Sequence, residues 1–213
     1  MTRQAETAGF DFIRVLADDV QHALNLARDS NEQADRRNLI RTIISATEGI
    51  SWDCRDYVRS ILREVGQIPP LLELAFDELT YFVSERGQLI TQPRFVSTTS
   101  MIRLTVNVAQ MLGSDLQVDF GNGGWDSLKK AIAIRNRITH PKSLDDLIVS
   151  DIDVETAQSG FFWFIGVSGD VMEAVTEKFR LHADLCRQFL EKLKAGDPET
   201  VALYQSSLTD IRD

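Results

Sequence analysis

The sequence predicts an all-α protein that folds as a single bundle of five to six helices. Apolar residues recur every three or four positions along most of the chain, which is the spacing of one face of an α-helix. Glycine and proline, the residues that most often interrupt helices, number 12 and 5 among 213 residues. No linker, internal repeat or low-complexity tract divides the chain, so residues 1–213 are expected to form one domain.

Two helices are predicted in the first third of the chain. In residues 8–29, one apolar stripe contains Ile13, Leu16, Val20 and Leu24. Residues 34–65 keep the helical spacing almost without a break, and Gly66 suits the position just past a helix end. Gly49 lies inside this second helix, where it is expected to mark a close contact with a neighbouring element.

A third and a fourth helix are expected before residue 113. Pro69 and Pro70 would open the third helix, since proline fits the first turn of a helix. This helix would end at Gly87, with a buried face made of Leu72, Ala75, Leu79 and Phe82. Residues 88–96 are expected to be irregular. The hydroxyl groups of residues 97–100 would cap a fourth helix that runs through Leu112 and closes at Gly113.

A loop is predicted over residues 114–124, before the fifth helix. Apolar residues alternate at Leu116, Val118 and Phe120, which is the pattern of a short extended segment. The fifth helix is expected to run from Trp125 to about His140. Pro141 would stop it, because proline disfavours helical backbone at the residue before it.

The last predicted helix is the longest. Ser150, with Asp153 three residues later, is typical of a capped helix start, and the apolar pattern continues to about Lys194. Three glycines, at 160, 166 and 169, are positions where this helix is expected to kink or split. Gly196 and Pro198 would end it, leaving a short mobile tail after about residue 196.

Composition excludes several classes of protein. The chain has 23 Lys and Arg against 32 Asp and Glu, a net charge of -9, so it is not a basic protein that coats DNA. The longest apolar run, near residues 161–167, is too short for a membrane span, and the polar start lacks the apolar core of a secretory signal. The two cysteines, Cys54 and Cys186, have no metal-binding spacing. We expect a reduced, cytoplasmic protein without a metal or another cofactor.

Most motifs that bind nucleotides or carry out hydrolysis are absent. The sequence contains no GxxxxGK[ST], GxGxxG, GxSxG or HExxH. The amide groups of Gly121 to Gly124 precede a helix and would suit a phosphate, but a loop that starts the helix is the preferred interpretation. His22 has acidic neighbours and suits a solvated helix face, whereas His182 suits a core or interface position.

Residues 129–142 form a basic window with no acidic residue, which is a local reversal of the chain's charge. The cations of this window are Lys129, Lys130, Arg135, Arg137 and Lys142. Such a patch can hold a polyanion such as RNA. At about 100° per residue, Asn136 and His140 lie about 40° apart on one helix face. Arg135 lies on the flank of Asn136, and its long side chain can span the rise of about 7.5 Å to His140. Pro141 places His140 at the helix exit, where the helix dipole favours an imidazolium ion.

This window resembles the HEPN superfamily, whose helical domains carry an Arg-x(4–6)-His motif. The match is Arg135 followed by Asn136 and, after three further residues, His140, which is the Arg-Asn-x-x-x-His form. The specific part covers these six residues and the following Pro141 and Lys142, and the rest of the bundle resembles the family loosely. The resemblance implies a HEPN-like fold and a metal-independent endoribonuclease. It also implies a homodimer in which two copies of the motif meet in one cleft at the interface.

The residue types suit RNA cleavage through attack by the 2′-hydroxyl group. His140 would accept or donate a proton near neutral pH, because an ordinary imidazole titrates near pH 6.5. Arg135 would bind the phosphate and stabilise its extra charge in the transition state. Asn136 would hold the imidazole or a phosphate oxygen. The RNA backbone would be positioned by Arg137, Lys142, Lys129 and Lys130.

Other interpretations of the same residues stay open. A non-catalytic HEPN-like dimer that binds nucleotides or proteins would use Arg135 and His140 as binding groups, and the net acidity of the chain favours it somewhat. An unrelated helical protein would have an exposed helix end at the same place. Glu48 would orient Arg135 or His140 if the second helix packs on the fifth, and a simple ion pair is an equal alternative. A role as a toxin or in defence implies an antitoxin or nucleotidyltransferase partner.

Overall fold

A computed structural model describes residues 3–30, 32–66, 68–112 and 115–210, and it confirms an all-α protein. These residues form seven α-helices and one two-stranded antiparallel sheet. The elements in chain order are α1 (Arg3–Ser30), α2 (Gln33–Val65), α3 (Pro70–Phe76), β1 (Leu79–Val83), β2 (Leu89–Pro93), α4 (Thr98–Met111), α5 (Gly123–Thr139), α6 (Asp151–Lys194) and α7 (Pro198–Asp210). A single 3-10 turn, Asp145–Leu147, lies between α5 and α6.

Helix α2 lies at the centre of the bundle. It packs against α1, α4, α5 and α6, and its isoleucines Ile40 and Ile43 are fully buried. One part of the core joins α1, α2, α5 and the first half of α6, and a second part joins α2, α4 and the middle of α6. Burial of each such side chain contributes about 1.5–3 kcal/mol to folding, so this packing fixes where α5 lies relative to α2.

Two glycines set the close approach of α5 and α6. A Cβ atom built at Gly160 would lie 2.6 Å from the Cα atom of Leu128, and one built at Gly124 would lie 2.4 Å from the Trp163 ring. Both positions therefore require glycine for packing. Helix α6 is one uninterrupted helix of 44 residues, so the prediction that it splits at its glycines is wrong. Gly160 allows close packing on α5 and does not interrupt the helix.

The prediction of a helix up to Gly87 is wrong. Helix α3 ends at Phe76, and residues 79–93 form the hairpin of β1 and β2, in which Phe82 pairs with Ile90. The physical reason is a run of β-branched and aromatic residues in β1, which favours strand. The turn uses Gly87 with a φ angle of 73°. The apolar spacing from Leu72 to Phe82 fitted a helix only by coincidence.

The tail predicted after about residue 196 contains a further helix, because residues 198–210 form α7. The Asp197 carboxylate accepts hydrogen bonds from the Thr200 side chain at 2.6 Å and from the Thr200 amide at 3.0 Å. These hydrogen bonds lower the pKa of Asp197. This helix adds a seventh to the six helices that the apolar pattern indicated, since a capping aspartate and Pro198 start a new helix there.

The predicted helix starts are confirmed where they can be compared. Ser97 accepts a hydrogen bond from the Ser100 amide, and Ser150 forms a reciprocal capping box with Asp153. Gly113, predicted to close the fourth helix, lies outside the described residues. Within the described ranges, no helix combines the length and the apolar character that crossing a membrane requires.

Candidate functional site

The glycine loop before α5 serves as the start of that helix. The Asn122 side chain accepts a hydrogen bond from the Trp125 amide at 3.1 Å, and Gly123 and Gly124 are the first residues of α5. The Trp125 ring is buried against Phe120, with 4.9 Å between ring centroids. These contacts fix the N-terminal end of α5 and agree with the interpretation of this loop as a helix start.

The other end of α5 exposes the histidine of the predicted motif. The His140 amide donates the last helical hydrogen bond, to the Asn136 carbonyl at 3.0 Å, and its φ and ψ angles of -124° and 59° leave the helix. Both Asn136 and His140 are exposed. The His140 imidazole has no hydrogen-bond or ion-pair partner among the residues that the structure describes. Its two nitrogens are therefore accessible to a ligand.

Arg135 is held by a carboxylate of the neighbouring helix. Its Nη2 group donates to the Glu48 carboxylate of α2 in an ion pair. The Arg135 and Glu48 side chains keep 27% and 45% of their surface exposed. Of the roles considered for Glu48, the structure thus shows an ion pair between helices that orients Arg135. One Arg135 donor group is taken by the protein, and the partly exposed guanidinium remains within reach of a phosphate.

Arg41 lies beside the motif and was missed by the sequence analysis. Its Nη2 group donates to the Ile138 carbonyl at 3.1 Å, two residues before His140. Arg41 precedes Glu48 by seven residues, so both side chains lie on one face of α2. That spacing was visible in the sequence, but only the packing of α2 against α5 shows that this face borders the motif.

Arg137 fastens the start of α6 to the end of α5. Its guanidinium donates to the Ile148 carbonyl at 2.9 Å and to the Asp153 carboxylate at 3.0 Å. Asp153 also belongs to the capping box of α6. Arg137 thus donates to acceptors on the loop and on α6 and holds these two segments together. The sequence predicts only an RNA contact for this residue.

The lysines of the basic window lie at two separate places. Lys129 pairs with Asp126 at 2.7 Å, and this hydrogen bond lowers the pKa of Asp126. Lys130 is exposed near the middle of α5, ten residues and therefore about 15 Å of helix rise from His140. Lys142 is exposed and lies just after Pro141, close in sequence to His140. Only Lys142 among the lysines of the window thus adjoins the motif.

The turn after Pro141 is fixed by an aspartate. The Asp146 carboxylate accepts hydrogen bonds from the amides of Lys142, at 2.8 Å, and Ser143, at 3.1 Å. The Lys142 hydrogen bond is the main reason that the pKa of Asp146 lies below its ordinary value. This turn holds the backbone at Lys142 in one place, although the lysine side chain remains exposed.

Tertiary structure reduces the positive charge of the basic window. Its arginines pair with Glu48 and Asp153, which lie far from them in the sequence. In the described part of the chain, Arg41 and Lys142 are the cations beside His140 that form no ion pair with a carboxylate. In the same residues, no group of three or more His, Cys, Asp or Glu side chains is placed to hold a metal ion.

The structure therefore places Arg135, Asn136, His140, Lys142 and Arg41 near the C-terminal end of α5, and it leaves Lys129 and Lys130 near the middle of the helix. A cation oriented by a carboxylate can bind a phosphate, and an accessible imidazole five residues further along the chain can transfer a proton. Comparisons of the chain with protein-family models, with curated proteins and with solved structures found no match. The resemblance to HEPN domains rests on the motif residues and their helical setting.

Proposed function

We propose that this protein is a metal-independent endoribonuclease of HEPN type, with its active site at the C-terminal end of α5. The observation that carries the proposal is an exposed His140 at the end of α5 that follows, by five residues, an Arg135 that Glu48 orients. Residues 135–140 resemble the HEPN motif, and this resemblance is the reason for proposing RNA as the substrate of these groups. RNA carries its own nucleophile, so the protein has to supply only proton transfer and charge stabilisation.

In the proposed reaction, His140 removes the proton of a 2′-hydroxyl group. The 2′-oxygen then attacks the adjacent phosphorus and the bond from phosphorus to the 5′-oxygen breaks. The leaving 5′-oxygen takes a proton from the histidine of a second copy. The products are a 2′,3′-cyclic phosphate and a 5′-hydroxyl group. Arg135 and Arg41 stabilise the charge that builds up on the phosphate oxygens, and Asn136 holds the imidazole or a phosphate oxygen.

A homodimer supplies the second histidine in this proposal. Leu144 and Ile148, which follow His140 in the chain, are large apolar residues exposed to 83% and 54%. Exposed apolar residues of this size are typical of surfaces that bind another protein chain. A second copy seated here would cover them and bring the two motifs together. An antitoxin or a nucleotidyltransferase partner, if the protein is a toxin, would mask the same surface.

The second candidate is a non-catalytic HEPN-like dimer that binds nucleotides or proteins. It is favoured by the carboxylates that the fold brings to Arg135 and Arg137, since they lower the positive field that a nuclease uses to attract RNA. In that case RNA or a nucleotide would bind the end of α5 without being cleaved.

The test is RNA cleavage in the presence of EDTA. Wild type, His140→Ala and the control His22→Ala are incubated with tRNA, mRNA and a labelled single-stranded oligonucleotide. His22 is an exposed histidine of α1 and controls for the loss of any surface imidazole. We expect cleavage by wild type and by His22→Ala and its loss in His140→Ala. Equal cleavage by all three would indicate a contaminating nuclease, and binding without cleavage would support the second candidate.

A further inference from the structure

Trp52 of α2 is half exposed, although tryptophan is usually buried over most of its surface. Its surface is 53% exposed, whereas Trp125 is 2% exposed and Trp163 packs against Trp125 at 5.5 Å between ring centroids. Tryptophan carries the largest apolar ring system of the amino acids. Within the described residues, no ring contact or hydrogen bond holds the Trp52 side chain.

Trp52 lies one helix turn from the carboxylate that orients Arg135. It follows Glu48 by four residues on α2, so the two Cβ atoms lie about 5–6 Å apart on the helix surface. Glu48 is the residue that holds Arg135. Arg41, which contacts the end of α5, lies on the same face of α2, eleven residues and about 16 Å before Trp52. We name this exposed face, with Arg41, Glu48 and Trp52, the α2 strip.

The α2 strip combines the two features that bind single-stranded nucleic acid. Cations hold the phosphates, and an exposed aromatic ring stacks on an unpaired base. The other exposed residues of α2 around Trp52, Ser45 and Asp56, are polar. On the neighbouring helix α1, Phe12 is 42% exposed and lies beside Gly49, one turn before Trp52. A second protein chain is therefore the competing occupant, which the molar-mass measurement distinguishes from RNA. The Asp56 carboxylate one turn beyond Trp52 repels phosphate, so the RNA backbone is expected to leave α2 there.

We infer that Trp52 is the stacking platform for an unpaired base of the RNA whose phosphate lies on Arg135. This inference rests on the proposed function, because it assigns RNA to the Arg135 end of α5. It also makes the substrate more specific, since a base can stack on Trp52 only where the RNA is single-stranded.

Binding is measured in the His140→Ala background, so that the RNA stays intact. A labelled single-stranded RNA oligonucleotide is titrated in EDTA and low salt and followed by fluorescence anisotropy. We expect Trp52→Ala to weaken binding about tenfold, the range found when a stacking ring is removed. Trp52→Phe keeps an aromatic face and should bind within about twofold of the parent, because phenylalanine also stacks on bases. Tyr204→Ala removes an exposed aromatic ring of α7 and should bind like the parent.

Tryptophan fluorescence gives a second readout of the same contact. RNA is expected to quench the emission of the parent, because Trp52 is exposed and stacks on a base. Trp52→Phe should bind the oligonucleotide with most of this quenching lost, since Trp125 is buried and Trp163 is partly buried against it. A duplex of the same sequence should quench far less than the single strand, because its bases are already paired and stacked.

The outcomes separate this inference from the proposed function. If the parent binds RNA and Trp52→Ala binds equally well, the stacking role is wrong and the proposed nuclease stands. If the parent binds no RNA in low salt, the proposed function and the stacking role both fail. If Trp52→Ala instead changes the molar mass measured by light scattering, Trp52 is a contact between protein copies and the stacking role is overturned.

Discussion

Two clusters of ion pairs are attached to α2, and they differ in how far water reaches them. At the root of the hairpin, the Arg59 guanidinium is 15% exposed and lies 2.5 Å from Glu73 and 2.7 Å from Asp77. At the end of α5, Arg135 has one carboxylate partner, Glu48, and both side chains are more exposed. We call these the hairpin-root cluster and the motif cluster.

The same pair of residue types thus serves two purposes. In the hairpin-root cluster, a hydrogen bond from Arg59 and a second one from Arg63 hold the pKa of Glu73 below its ordinary value. The hydrogen bond to Glu73 in turn raises the pKa of Arg59. Arg59 and Arg63 both bind Glu73, and Arg59 also binds Asp77, so the cluster fastens α3 to α2. In the motif cluster, one carboxylate orients an arginine that still faces solvent, and such an arginine can bind a ligand.

The largest expected effect is on catalysis. His140→Ala should lower the rate of RNA cleavage about 10²–10⁴-fold, because it removes the proposed proton-transfer group. Its free energy of unfolding should stay within about 0.5 kcal/mol of wild type, since the side chain is exposed. Single-turnover cleavage and urea unfolding measure the two quantities. A clear loss of stability would mean that His140 stabilises the fold. The motif cluster would then no longer differ from the hairpin-root cluster in its purpose.

The second-largest expected effect is a loss of stability when the hairpin-root cluster is disrupted. Glu73→Gln removes the charge that two arginines share, and the free energy of unfolding should fall by about 2 kcal/mol. This is less than for a fully buried pair, because the Glu73 side chain is 29% exposed. The rate of RNA cleavage should be unchanged. Urea unfolding checks the first expectation, and a cleavage rate that falls as far as in His140→Ala would contradict the second.

Glu48→Gln makes the same chemical change in the motif cluster, so it is the matched partner of Glu73→Gln. The free energy of unfolding should change by less than about 1 kcal/mol, as for other exposed pairs. Cleavage should fall about tenfold, because Arg135 loses the group that orients it. Both variants are compared with wild type in one assay series. A structural Glu48 would show the reverse pattern, with stability lowered and cleavage retained.

The smallest effect is the pH dependence of the stability that the hairpin-root cluster contributes. The pKa of Glu73 is lowered in the folded state, so its carboxylate stabilises the fold above the unfolded pKa. This stabilisation is lost as the pH falls through the folded pKa. The difference in unfolding free energy between wild type and Glu73→Gln should therefore shrink on acidification. Urea unfolding at neutral and acidic pH measures it, and a difference that stays constant would show that the Glu73 charge is not the cause.

The helices and the motif could be predicted from local patterns, because helical spacing and capping residues act over a few positions. The hairpin of β1 and β2 could not, since Leu72, Ala75, Leu79 and Phe82 satisfy the helical spacing while their neighbours favour strand. The local signals for helix and strand conflicted there. In the structure, Arg55 of α2 pairs with Glu78, the residue just before β1.

The motif residues Arg135, Asn136 and His140 were found from their spacing, and the structure places them together at one exposed helix end. The contribution of Arg41 and the tasks of Glu48 and Arg137 depend on partners 16 to 97 positions away. Such pairs form only when helices pack, so the sequence could name Glu48 only on the condition that α2 packs on α5, and it supplied no signal for Arg41. The same limit applies to Trp52, whose exposure is a property of the packed bundle.

In the proposed function, RNA is cleaved at the end of α5 through attack by the 2′-hydroxyl group of the RNA itself. The most direct measurement uses an oligonucleotide with one 2′-deoxy nucleotide at a mapped cleavage position, incubated with the wild-type protein in EDTA. We predict that the all-RNA strand yields 2′,3′-cyclic phosphate and 5′-hydroxyl ends by mass spectrometry, and that the deoxy substitution stops cleavage at that position. Cleavage at the deoxy position, or products with 3′-hydroxyl and 5′-phosphate ends, would contradict the claim.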